Sequence, residues 1–588
     1  MNIALVGINA RYIHTNLAIR YLYHSLRLDD LNAQIKEYTI NQYEEEILKD
    51  LYLEQPDVIA FSCYIWNIEI IHRLGRQLKK ILPETVIISG GPEVSFDTEE
   101  IMKNQDYIDI VIRGEAEESF AQLIEILARD EDYHACQGIS FRAKGQIFSN
   151  PGNSYSLPLD ELSFPYLGEI FNRNKIYYYE STRGCPYQCS YCLSSTIKGV
   201  RYASLEKVKR ELQIFLDKKV KMVKFVDRTF NCCKSHALEI MQYLLEHHNG
   251  ITIFHFEITA ELLDEEMLSF FRKVPKGVFQ FEAGIQSTNP ETLKTIRRNI
   301  PFVRLYEPLH KVMKMDNIHL HLDLIAGLPY EDYYTFRHSF NQVYSLGGDQ
   351  LQLGFLKLLK GSELRERREE FGYVFDDKAP YEVLENKWIN YGDLLRLKEI
   401  AHLLERYMNE HRFRRSLSYL IAEHYTENPF GFYEDFSEFW RNREYDRFAQ
   451  SRDQLYRILL EYFEEKKFKD RNFFVNRLRL DYVIENKQRK ILPELETFTT
   501  DEKRMFFSKE EAHEFLKEIQ NRILYVPHYK DESTKKIMKN VEFLILEFPL
   551  ADLESTVKPF KVNSSICVAL IDVGYKNAFE IKQLKEAD

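Results

Sequence analysis

Cysteine is scarce in this chain, with 8 among 588 residues. That number is too small for a disulfide framework, and a reducing compartment would keep these residues as thiols. Long apolar runs are also missing. No stretch of about 18 apolar residues occurs, and the start, "MNIALVGINARYIHTN", lacks a basic segment followed by a long apolar one. We therefore expect a cytoplasmic protein that has no membrane partner.

Positive charge is in deficit. Lys and Arg number 79 against 91 Asp and Glu, which gives a net charge of -12. Because an acidic surface repels phosphate backbones, nucleic acid is not an expected partner. A hydrophobic share of 44% and a charged share of 29% are ordinary for a globular protein. One hydrophobic core does not grow to this length, so we expect about three or four domains.

Residues 1–150 alternate short apolar runs with amphipathic stretches. The runs that are typical of buried parallel strands are residues 2–7, 58–62, 85–91 and 107–114. This alternation predicts a doubly wound, Rossmann-like α/β domain, in which ligands bind beyond the carboxyl ends of the strands. The loops at those ends include Ser62 and the pair Gly90 and Gly91, where a ligand can come close to the backbone.

A second βα series follows a break in the pattern. Residues 151–174 contain three prolines and no clean period, so we interpret them as a linker. Over residues 175–370, the predicted strands are residues 175–181, 222–227, 251–257, 277–284, 318–327 and 350–356. Six such repeats predict a partial (β/α)6 barrel of the TIM type, with chemistry at the loops that follow the strands.

Residues 371–588 have a different character. Long, charged and aromatic helical patterns come first, and strand-like runs follow at 541–548 and 564–574, which predicts a mainly helical α+β domain. Its stretch "EEKKFKDRNFFVNRLRL" (464–480) mixes both signs of charge. We interpret it as a solvated helix face rather than an RNA-binding surface. This region suggests a lid or substrate wall and reveals no chemistry of its own.

Three cysteines stand together in "STRGCPYQCSYCLSS" (181–195), directly after the first strand of the second series. Cys185, Cys189 and Cys192 are suited to converge on one inorganic centre, either zinc or an iron-sulfur cluster. Zinc would need a fourth ligand, and the nearest later candidates are the pair at 232–233 and His236, which follow a different strand. A cubane cluster with three cysteines instead keeps one iron open for a substrate or cofactor.

The sequence "RGCPYQCSYC" resembles the signature of the radical S-adenosylmethionine (SAM) enzymes. The resemblance implies that the three cysteines bind a 4Fe-4S cluster whose open iron chelates SAM, which one-electron reduction cleaves to an adenosyl radical. "FVDRTFN" occupies the place of the methionine-binding motif and implies contacts from Asp227 and Thr229. "FEAGIQSTNPETLKTIRR" is similar to the strand-four motif, which assigns Glu282 and Gln286 to the ribose, and "DLIAGLP" to the motif that assigns Ile325 and Gly327 to adenine.

An α/β domain ahead of such a barrel resembles the cobalamin-binding arrangement. The resemblance implies that the loops at Ser62, Gly90 and Gly91 hold the corrin and its tail, and "IRGEAEESF" (112–120) is similar to the segment that closes this domain. No Asp-x-His-x-x-Gly follows the first strand, so we expect cobalamin without a histidine below the cobalt rather than ligation by His14. The side chains expected to shield the lower face are Tyr64 or Trp66. The alternative is an α/β domain that holds no cofactor.

The resemblance implies a cobalamin-dependent enzyme that transfers a methyl group to an unactivated carbon or phosphorus centre. Two alternatives stay open, namely a radical rearrangement or cyclisation without methyl transfer, and a tRNA-modifying, peptide-modifying or binding protein with an iron-sulfur cluster. We expect a small-molecule or peptide substrate and an external one-electron donor such as flavodoxin or ferredoxin. Neither the substrate, the residues that act on it, nor the oligomeric state follows from the sequence.

Overall fold

The computed structural model describes residues 1–151, 157–486, 490–499, 541–554, 567–572 and 577–583. These residues form two compact units. The first comprises Met1–Gly348 and Gln352–Leu394, and the second comprises Asp349–Leu351 and the chain from Leu395 onward. Within the described ranges, no helix combines the length and the apolar character that crossing a bilayer requires.

A seven-stranded sheet forms the amino-terminal part of the first unit. Its strands are β1 (Asn2–Asn9), β2 (Asn32–Thr39), β3 (Val58–Ser62), β4 (Val86–Gly90), β5 (Ile110–Ile112), β6 (Ile139–Ala143) and β7 (Gln146–Ser149). They lie in the order β2-β1-β3-β4-β5-β6-β7, and only β6 and β7 run antiparallel to their neighbours. The helices are α1 (Leu17–Ser25), α2 (Glu44–Glu54), α3 (Ile68–Ile81), α4 (Pro92–Ser95), α5 (Thr98–Asn104) and α6 (Glu117–Ala128).

Both faces of this sheet are covered, because its central strands are apolar on both sides. Successive side chains of a strand point to opposite faces. Leu5 packs in the same core as α1 and α6, whereas its neighbour Val6 packs in the core that contains residues of α2 and α3. The predicted doubly wound fold is therefore confirmed.

The sequence pattern does not predict β2, β6 or β7. β2 lies at the edge of the sheet and buries only Tyr38 among its eight residues, so the apolar run that marks a central strand is missing. β6 and β7 form a hairpin whose two turn residues, Lys144 and Gly145, have φ of 49° and 77°. Two positive φ values in a two-residue loop are typical of a tight hairpin turn.

A second, six-stranded sheet has the order β15-β14-β13-β12-β11-β8. Its strands are β8 (Ile176–Tyr179), β11 (Met222–Phe225), β12 (Ile253–Ile258), β13 (Phe279–Gln286), β14 (His319–Ala326) and β15 (Gln350–Phe355), and β9 (Thr182–Gly184) and β10 (Val200–Tyr202) form a separate ribbon. The helices between them are α7 (Leu205–Asp217), α8 (Lys234–Glu246), α9 (Glu265–Phe271), α10 (Pro290–Thr295), α11 (Phe302–Met315) and α12 (Tyr333–Tyr344). The sequential order of six strands confirms the predicted partial barrel.

Polar and apolar residues alternate strictly along β13 and β14. Phe281, Ala283 and Ile285 are buried, and the residues between them, including Glu282, are half-buried. β14 repeats the pattern with buried leucines between half-buried polar residues such as Asp323. Because the side-chain period of a strand is two, this alternation places every polar side chain of the two strands on one face, which is the interior of the partial barrel.

A connecting segment with short elements completes the first unit. Its elements are α13 (Glu363–Glu366), α14 (Arg368–Phe371), β16 (Val374–Phe375) and β17 (Val383–Glu385), and the two strands pair antiparallel. Short 3-10 turns elsewhere in the described chain are Leu159–Glu161, Leu193–Thr196, Phe230–Cys232, Ala260–Leu262, Tyr445–Arg447 and Pro493–Leu495.

The second unit is mainly helical and ends in a small sheet, as predicted. Its helices are α15 (Tyr391–Leu404), a π-helical turn (Glu405–Asn409), α16 (Arg414–His424), α17 (Pro429–Asn442), α18 (Arg452–Glu465), α19 (Arg471–Glu485) and α20 (Leu550–Glu554). The antiparallel strands are β18 (Val541–Leu546), β19 (Cys567–Asp572) and β20 (Asn577–Gln583).

The interpretation of residues 464–480 as a solvated face is wrong for α19. From Phe473 to Ile484 every residue of this helix is buried, including Arg477 and Arg479 at 0% and 1% exposure. Arg479 donates to the carbonyl oxygen of Ile545 over 2.6 Å and pairs with Glu496, so the buried cation is satisfied inside the unit. Alternating charge in a sequence does not distinguish such internal partners from solvent.

Candidate active site

Three thiols lie on the loop that follows β9. Cys189 is buried, and Cys185 and Cys192 are half-buried. The loop turns back on itself, because the backbone N–H of Cys192 donates to the Cys189 carbonyl oxygen over 3.1 Å. Gly184 precedes it with φ of +101°, and a Cβ there would lie 2.1 Å from the Gly199 carbonyl oxygen. Only glycine lets the two strands of the ribbon approach so closely at the start of the loop.

The spread of the thiols argues against a single zinc ion. Tetrahedral zinc holds sulfur ligands at about 2.3 Å, which places them roughly 4 Å from one another. Among the described residues, no group of three ligand atoms that includes any of these thiols lies within 4.8 Å of one another, and this covers the pair at 232–233 and His236 as well. A cubane cluster spreads its ligands over separate iron atoms, so the trio suits a cluster better.

Neighbouring elements fix the cysteine loop from two sides. The backbone N–H of Ser190 donates to the Ile296 carbonyl oxygen over 3.1 Å, and the Ser190 carbonyl oxygen accepts from the N–H of Leu364 over 3.0 Å. Thr229, one of the predicted methionine contacts, places its Oγ1 3.6 Å from the Cys185 sulfur. The loop is therefore preorganised by the backbone, which leaves its side chains free for ligands.

Asp227 is the other predicted methionine contact, and the structure places it in full burial behind the cysteine loop. Its carboxylate accepts from the Ser181 N–H and hydroxyl over 3.0 and 2.6 Å and from the Thr182 hydroxyl over 2.7 Å. Burial raises the pKa of Asp227 to about 6, although these hydrogen bonds oppose the shift. Its contact with methionine stays a prediction. In this structure the carboxylate orients residues 181–182, which lead into the loop.

Glu282 lies at the centre of an ion cluster inside the barrel. Its carboxylate is 3.0 Å from both the Lys224 ammonium and the His255 imidazole. Burial alone would raise the pKa of Glu282, but the His255 hydrogen bond and the Lys224 charge outweigh it and lower the pKa to about 2. Glu282 is therefore ionised at neutral pH and is an acceptor only, as a contact to sugar hydroxyls requires.

Besides Lys224 and His255, sequence reasoning missed three further ionisable residues of the barrel. Burial, assisted by the charges of Glu282 and Glu257, raises the pKa of Asp323 to about 7. Burial likewise raises the pKa of Glu257. Arg298 donates to the Gly284 carbonyl oxygen at the end of β13. The alternation of polar residues in "FHFE" and "LHLDL" is the signal that points to an interior lined with such groups.

Gln286 ends β13 in a conformation that suits a ligand contact. It has φ of 71°, and its side chain lies over Gly284, where a Cβ would be 2.1 Å from the Gln286 Nε2 atom. The Gln286 Oε1 atom is buried and has no hydrogen-bond partner among the described residues. A buried acceptor without a donor is costly, so a hydroxyl of a bound ligand would satisfy it.

The predicted adenine contacts lie on the neighbouring strand. Ile325 is half-buried near the end of β14, and Gly327 follows with φ of +92°. The Gly327 carbonyl oxygen accepts from the Tyr373 hydroxyl over 3.1 Å and from the Asn386 amide over 2.9 Å. Two side-chain donors thus hold the backbone at this position, and the contact with adenine stays a prediction.

A second group of predicted residues lines a cavity of about 890 Å³. Ser62 and Gly90 end β3 and β4, and Gly91 follows with φ of +106°, where a Cβ would lie 2.5 Å from the Cys63 carbonyl oxygen. A Cβ at Gly90 would meet only the Ile112 carbonyl oxygen, at 3.7 Å, so this glycine leaves open space beside the backbone. We call residues 90–93 the cradle loop. Its geometry suits a large ring that lies against bare backbone.

Aromatic side chains and a histidine line the same cavity. The rings of Tyr64 and Trp66 stack at 4.5 Å, and the Trp66 indole donates to the Ile8 carbonyl oxygen over 3.0 Å. His14 Nδ1 lies 2.7 Å from the Tyr178 hydroxyl, which engages one of its two ring nitrogens. Burial lowers the pKa of His14. Shielding by Tyr64 or Trp66 and the absence of a histidine ligand remain predictions.

Arg183 connects the segment 112–120 to the cysteine loop. Its guanidinium contacts the carboxylates of Glu115, Glu117 and Glu180 at 3.0, 2.5 and 2.6 Å, and all these side chains are at most 20% exposed. Burial opposes its charge, but the carboxylates outweigh that effect and raise the pKa of Arg183. Because Arg183 is only two residues before Cys185, the ion network holds the first sheet's loops against the cysteine loop.

Three family models match the chain. The B12 binding domain matches residues 3–124, the radical SAM superfamily matches residues 179–343, and a protein of unknown function, DUF4080, matches residues 369–565. The first range contains the cradle loop, and the second contains the three cysteines, Glu282 and Gln286.

Curated relatives align with these regions. The cobalamin-dependent radical SAM methyltransferase TokK of Streptomyces tokunonensis is 26% identical over 356 residues, which are 56% of this chain and 51% of the relative. The 2-(S-pantetheinyl)-carbapenam-3-carboxylate methyltransferase of Streptantibioticus cattleyicolor is 27% identical over 326 residues, or 51% of this chain and 46% of the relative. The chain thus spans about half the length of the curated relatives it matches.

Solved structures share the fold. The cobalamin-dependent S-adenosylmethionine radical enzyme OxsB has a TM-score of 0.56 at 16% identity, over 82% of this chain and 78% of that one. The radical S-adenosylmethionine methyltransferase TsrM from Kitasatospora setae has a TM-score of 0.54 at 14% identity, and the match covers 64% of this chain and 77% of that one. The predicted order of a cobalamin-binding domain and a radical SAM barrel is confirmed. The chain thus combines a region that matches the B12 binding domain with a following region that matches the radical SAM superfamily.

Proposed function

We propose that the protein is a cobalamin-dependent radical SAM methyltransferase. The observation that carries the proposal is one cavity of about 890 Å³, which is lined by the predicted cobalamin residues and by residues that directly adjoin the predicted cluster and SAM contacts. Gly90 and Gly91 contribute from the first sheet, Glu180 and Val226 from the barrel, and Ile197 from the segment after the cysteines. Val226 and Leu193 directly adjoin Asp227 and Cys192, so a ring held on the cradle loop would lie beside the proposed SAM and cluster sites.

The residues present fit both cofactors. Cys185, Cys189 and Cys192 would hold a 4Fe-4S cluster and leave one iron open, and bare backbone at Gly90 would accommodate the face of a corrin. When bound, these groups supply one-electron cleavage of SAM and a carrier for its methyl group. The chain's own residues would bind and orient these groups and set the electrostatic environment around them.

Side chains of the barrel would position SAM. The ionised Glu282 offers two acceptor oxygens, of which one already meets Lys224 and His255, and Gln286 offers an acceptor that nothing else uses. Both would receive hydrogen bonds from ribose hydroxyls. Asp227 and Thr229 would support the methionine end from behind the cysteine loop. These contacts orient the molecule toward the open iron.

The two relatives described above are named as methyltransferases, which favours methyl transfer over a rearrangement. We propose a small-molecule or peptide substrate with an unactivated carbon or phosphorus centre. An external one-electron donor, of the flavodoxin or ferredoxin type, would reduce the cluster, and a cytoplasmic location fits a chain that depends on reduced thiols.

The test is product analysis on the full chain, reconstituted anaerobically with iron, sulfide and hydroxocobalamin and supplied with SAM and a one-electron reductant. We expect 5'-deoxyadenosine and S-adenosylhomocysteine, and retention of cobalamin colour after gel filtration. Protein that carries a cluster and releases no 5'-deoxyadenosine would contradict the radical step. Release of 5'-deoxyadenosine without S-adenosylhomocysteine during turnover would contradict methyl transfer and favour a rearrangement.

A further inference from the structure

The segment Leu356–Asn390, which we call the strap, follows the last barrel strand and belongs to the first unit. None of the predicted cofactor contacts lies on it. Its regular structure is limited to two one-turn helices and a two-stranded ribbon. It nevertheless contacts three places that contain predicted cofactor residues, namely the end of β14, the cradle loop and the cysteine loop.

The first contact is at the end of β14. Tyr373 and Asn386, both on the strap, donate their side-chain hydrogen bonds to the Gly327 carbonyl oxygen. The Leu356 N–H donates to the Ala326 carbonyl oxygen over 2.9 Å, and a Cβ at Gly327 would lie 3.5 Å from the Leu356 side chain and 3.7 Å from that of Val383. The strap therefore fixes the backbone beside the proposed adenine site.

The second contact is at the cradle loop. Tyr381 on the strap donates to the Glu93 carboxylate over 2.7 Å, and the two residues are 4% and 2% exposed. Lys360 donates to the Glu93 carbonyl oxygen over 3.4 Å. A Cβ at Gly361 would lie 2.3 Å from the Phe96 ring, so the backbone of the strap is in direct contact with the residues after the cradle loop.

Glu93 transmits this contact to the glycines. It is two residues after Gly91, and its N–H donates to the Cys63 carbonyl oxygen over 3.4 Å, while the Cys63 N–H donates to the Gly90 carbonyl oxygen over 2.7 Å. Burial raises the pKa of Glu93, although the Tyr381 hydroxyl opposes the shift. A buried carboxyl group has few alternative partners, so loss of its donor would release the loop.

The third contact is at the cysteine loop. Besides the hydrogen bond from Leu364 to Ser190, Glu363 on the strap pairs with Arg297 at 2.9 Å. Arg297 directly follows Ile296, whose carbonyl oxygen accepts from Ser190. One short segment thus contacts the backbone around the proposed cluster, SAM and cobalamin sites.

We infer that the strap sets the geometry between the cobalamin cradle and the SAM pocket, with Tyr381 as the positioning residue for the cradle loop and Tyr373 as the one for the end of β14. This inference rests on the proposed function. Each hydroxyl orients a different cofactor site from outside it, so removal of one hydroxyl should weaken one ligand and spare the other.

The experiment measures two affinities on the reconstituted full chain and on single-hydroxyl variants. Equilibrium dialysis gives the Kd for hydroxocobalamin, and initial rates of 5'-deoxyadenosine formation give the KM for SAM. In Tyr381→Phe the ring stays between Lys360 and Arg365, whose cations lie 5.5 and 4.6 Å from its centre. We expect its Kd for hydroxocobalamin to rise about tenfold and its KM for SAM to stay within about twofold.

The matched variant Tyr373→Phe should show the opposite pattern. Because Asn386 still donates to Gly327, we expect a rise of about fivefold in the KM for SAM and no change in hydroxocobalamin affinity. Glu93→Gln keeps an acceptor for the Tyr381 hydroxyl and should bind hydroxocobalamin within about threefold of the parent, whereas Glu93→Leu should resemble Tyr381→Phe. This rescue by the amide separates positioning from general loosening of the fold.

Unchanged hydroxocobalamin affinity in Tyr381→Phe would overturn the inference. A parallel loss of both ligands together with a lower melting temperature would also overturn it, since the strap would then act only on stability. If the parent protein binds hydroxocobalamin and cleaves SAM, and the variants behave as the parent does, the inference is refuted. The proposed function would then still stand. Should the parent protein fail to bind hydroxocobalamin at all, the proposed function is contradicted and the inference with it.

Discussion

The cradle loop and the barrel interior are built from different kinds of chemical group. The cradle consists of backbone at Gly90 and Gly91, and its main buried carboxyl, Glu93, turns away to Tyr381. The barrel interior is dense with charge, with Glu282 between Lys224 and His255. A large ligand with a broad ring is held best by shape and bare backbone, whereas a small charged ligand needs fixed polar groups. We therefore expect substitutions in the cradle loop to weaken cobalamin binding, and substitutions in the barrel interior to weaken SAM binding.

Removal of a cluster thiol should have the largest effect. In Cys189→Ala we expect 5'-deoxyadenosine formation to fall at least about a hundredfold, because the cluster loses one of three ligands, while hydroxocobalamin binding persists. Iron content and product are measured on the same sample. Cys136→Ala, at a buried thiol of the first domain, is the control and should retain the cluster. Equal losses in both variants would contradict the assignment.

Substitution in the cradle should produce the reverse pattern. Gly91→Ala brings a methyl group to 2.5 Å from the Cys63 carbonyl oxygen at φ of +106°. We expect hydroxocobalamin affinity to fall about thirtyfold and stability to fall by about 1–3 kcal/mol, with the iron content unchanged. Gly145→Ala is the matched control, since it also has positive φ but no atom within 4 Å of the added Cβ. Equal behaviour of the two variants would show that strain alone is responsible.

Loss of one polar contact in the barrel should have a moderate effect. Gln286→Leu removes the buried acceptor that lacks a partner among the described residues. We expect the KM for SAM to rise about tenfold in 5'-deoxyadenosine assays, with little change in melting temperature. Gln280→Leu, near the start of the same strand, should leave the KM unchanged. A KM that does not respond to Gln286→Leu would remove this residue from the SAM site.

The last prediction concerns the pH dependence of stability rather than cofactor binding. Asp323 has a pKa of about 7 in the folded protein because of its burial and the nearby charges of Glu282 and Glu257. Its unfolded value is about 3.9, so between pH 4 and 7 the fold binds a proton that the unfolded chain has released. Stability therefore falls as pH rises through this window, by at most about 1.4 kcal/mol per unit. The melting temperature of the parent should therefore fall more steeply between pH 4 and 7 than that of Asp323→Asn, and equal slopes would contradict the assigned pKa.

The strands that carry the site could be predicted because their signals are local. β13 and β14 combine strict alternation with glycines near their ends, and the predicted ranges 277–284 and 318–327 overlap the observed strands closely. The Cys-x3-Cys-x2-Cys spacing is local too. Edge strand β2 and the hairpin of β6 and β7 lack an apolar run, so their pairing is decided by neighbours far along the chain.

The partners of the site residues could not be predicted, since they come together only in the folded chain. The bond from Tyr381 to Glu93 joins residues 288 positions apart. The contacts of Glu282 with Lys224 and His255 depend on which strands become neighbours, and the burial of Arg479 depends on how helices pack around α19. Composition and periodicity contain no information on such pairings.

Mössbauer spectroscopy of the anaerobic, iron-57-labelled protein, with and without SAM, tests the central claim most directly. Three thiol ligands predict four irons per chain, of which one changes its spectrum when SAM is added. A zinc-containing protein, or a cluster whose four irons are all unaffected by SAM, would contradict the account.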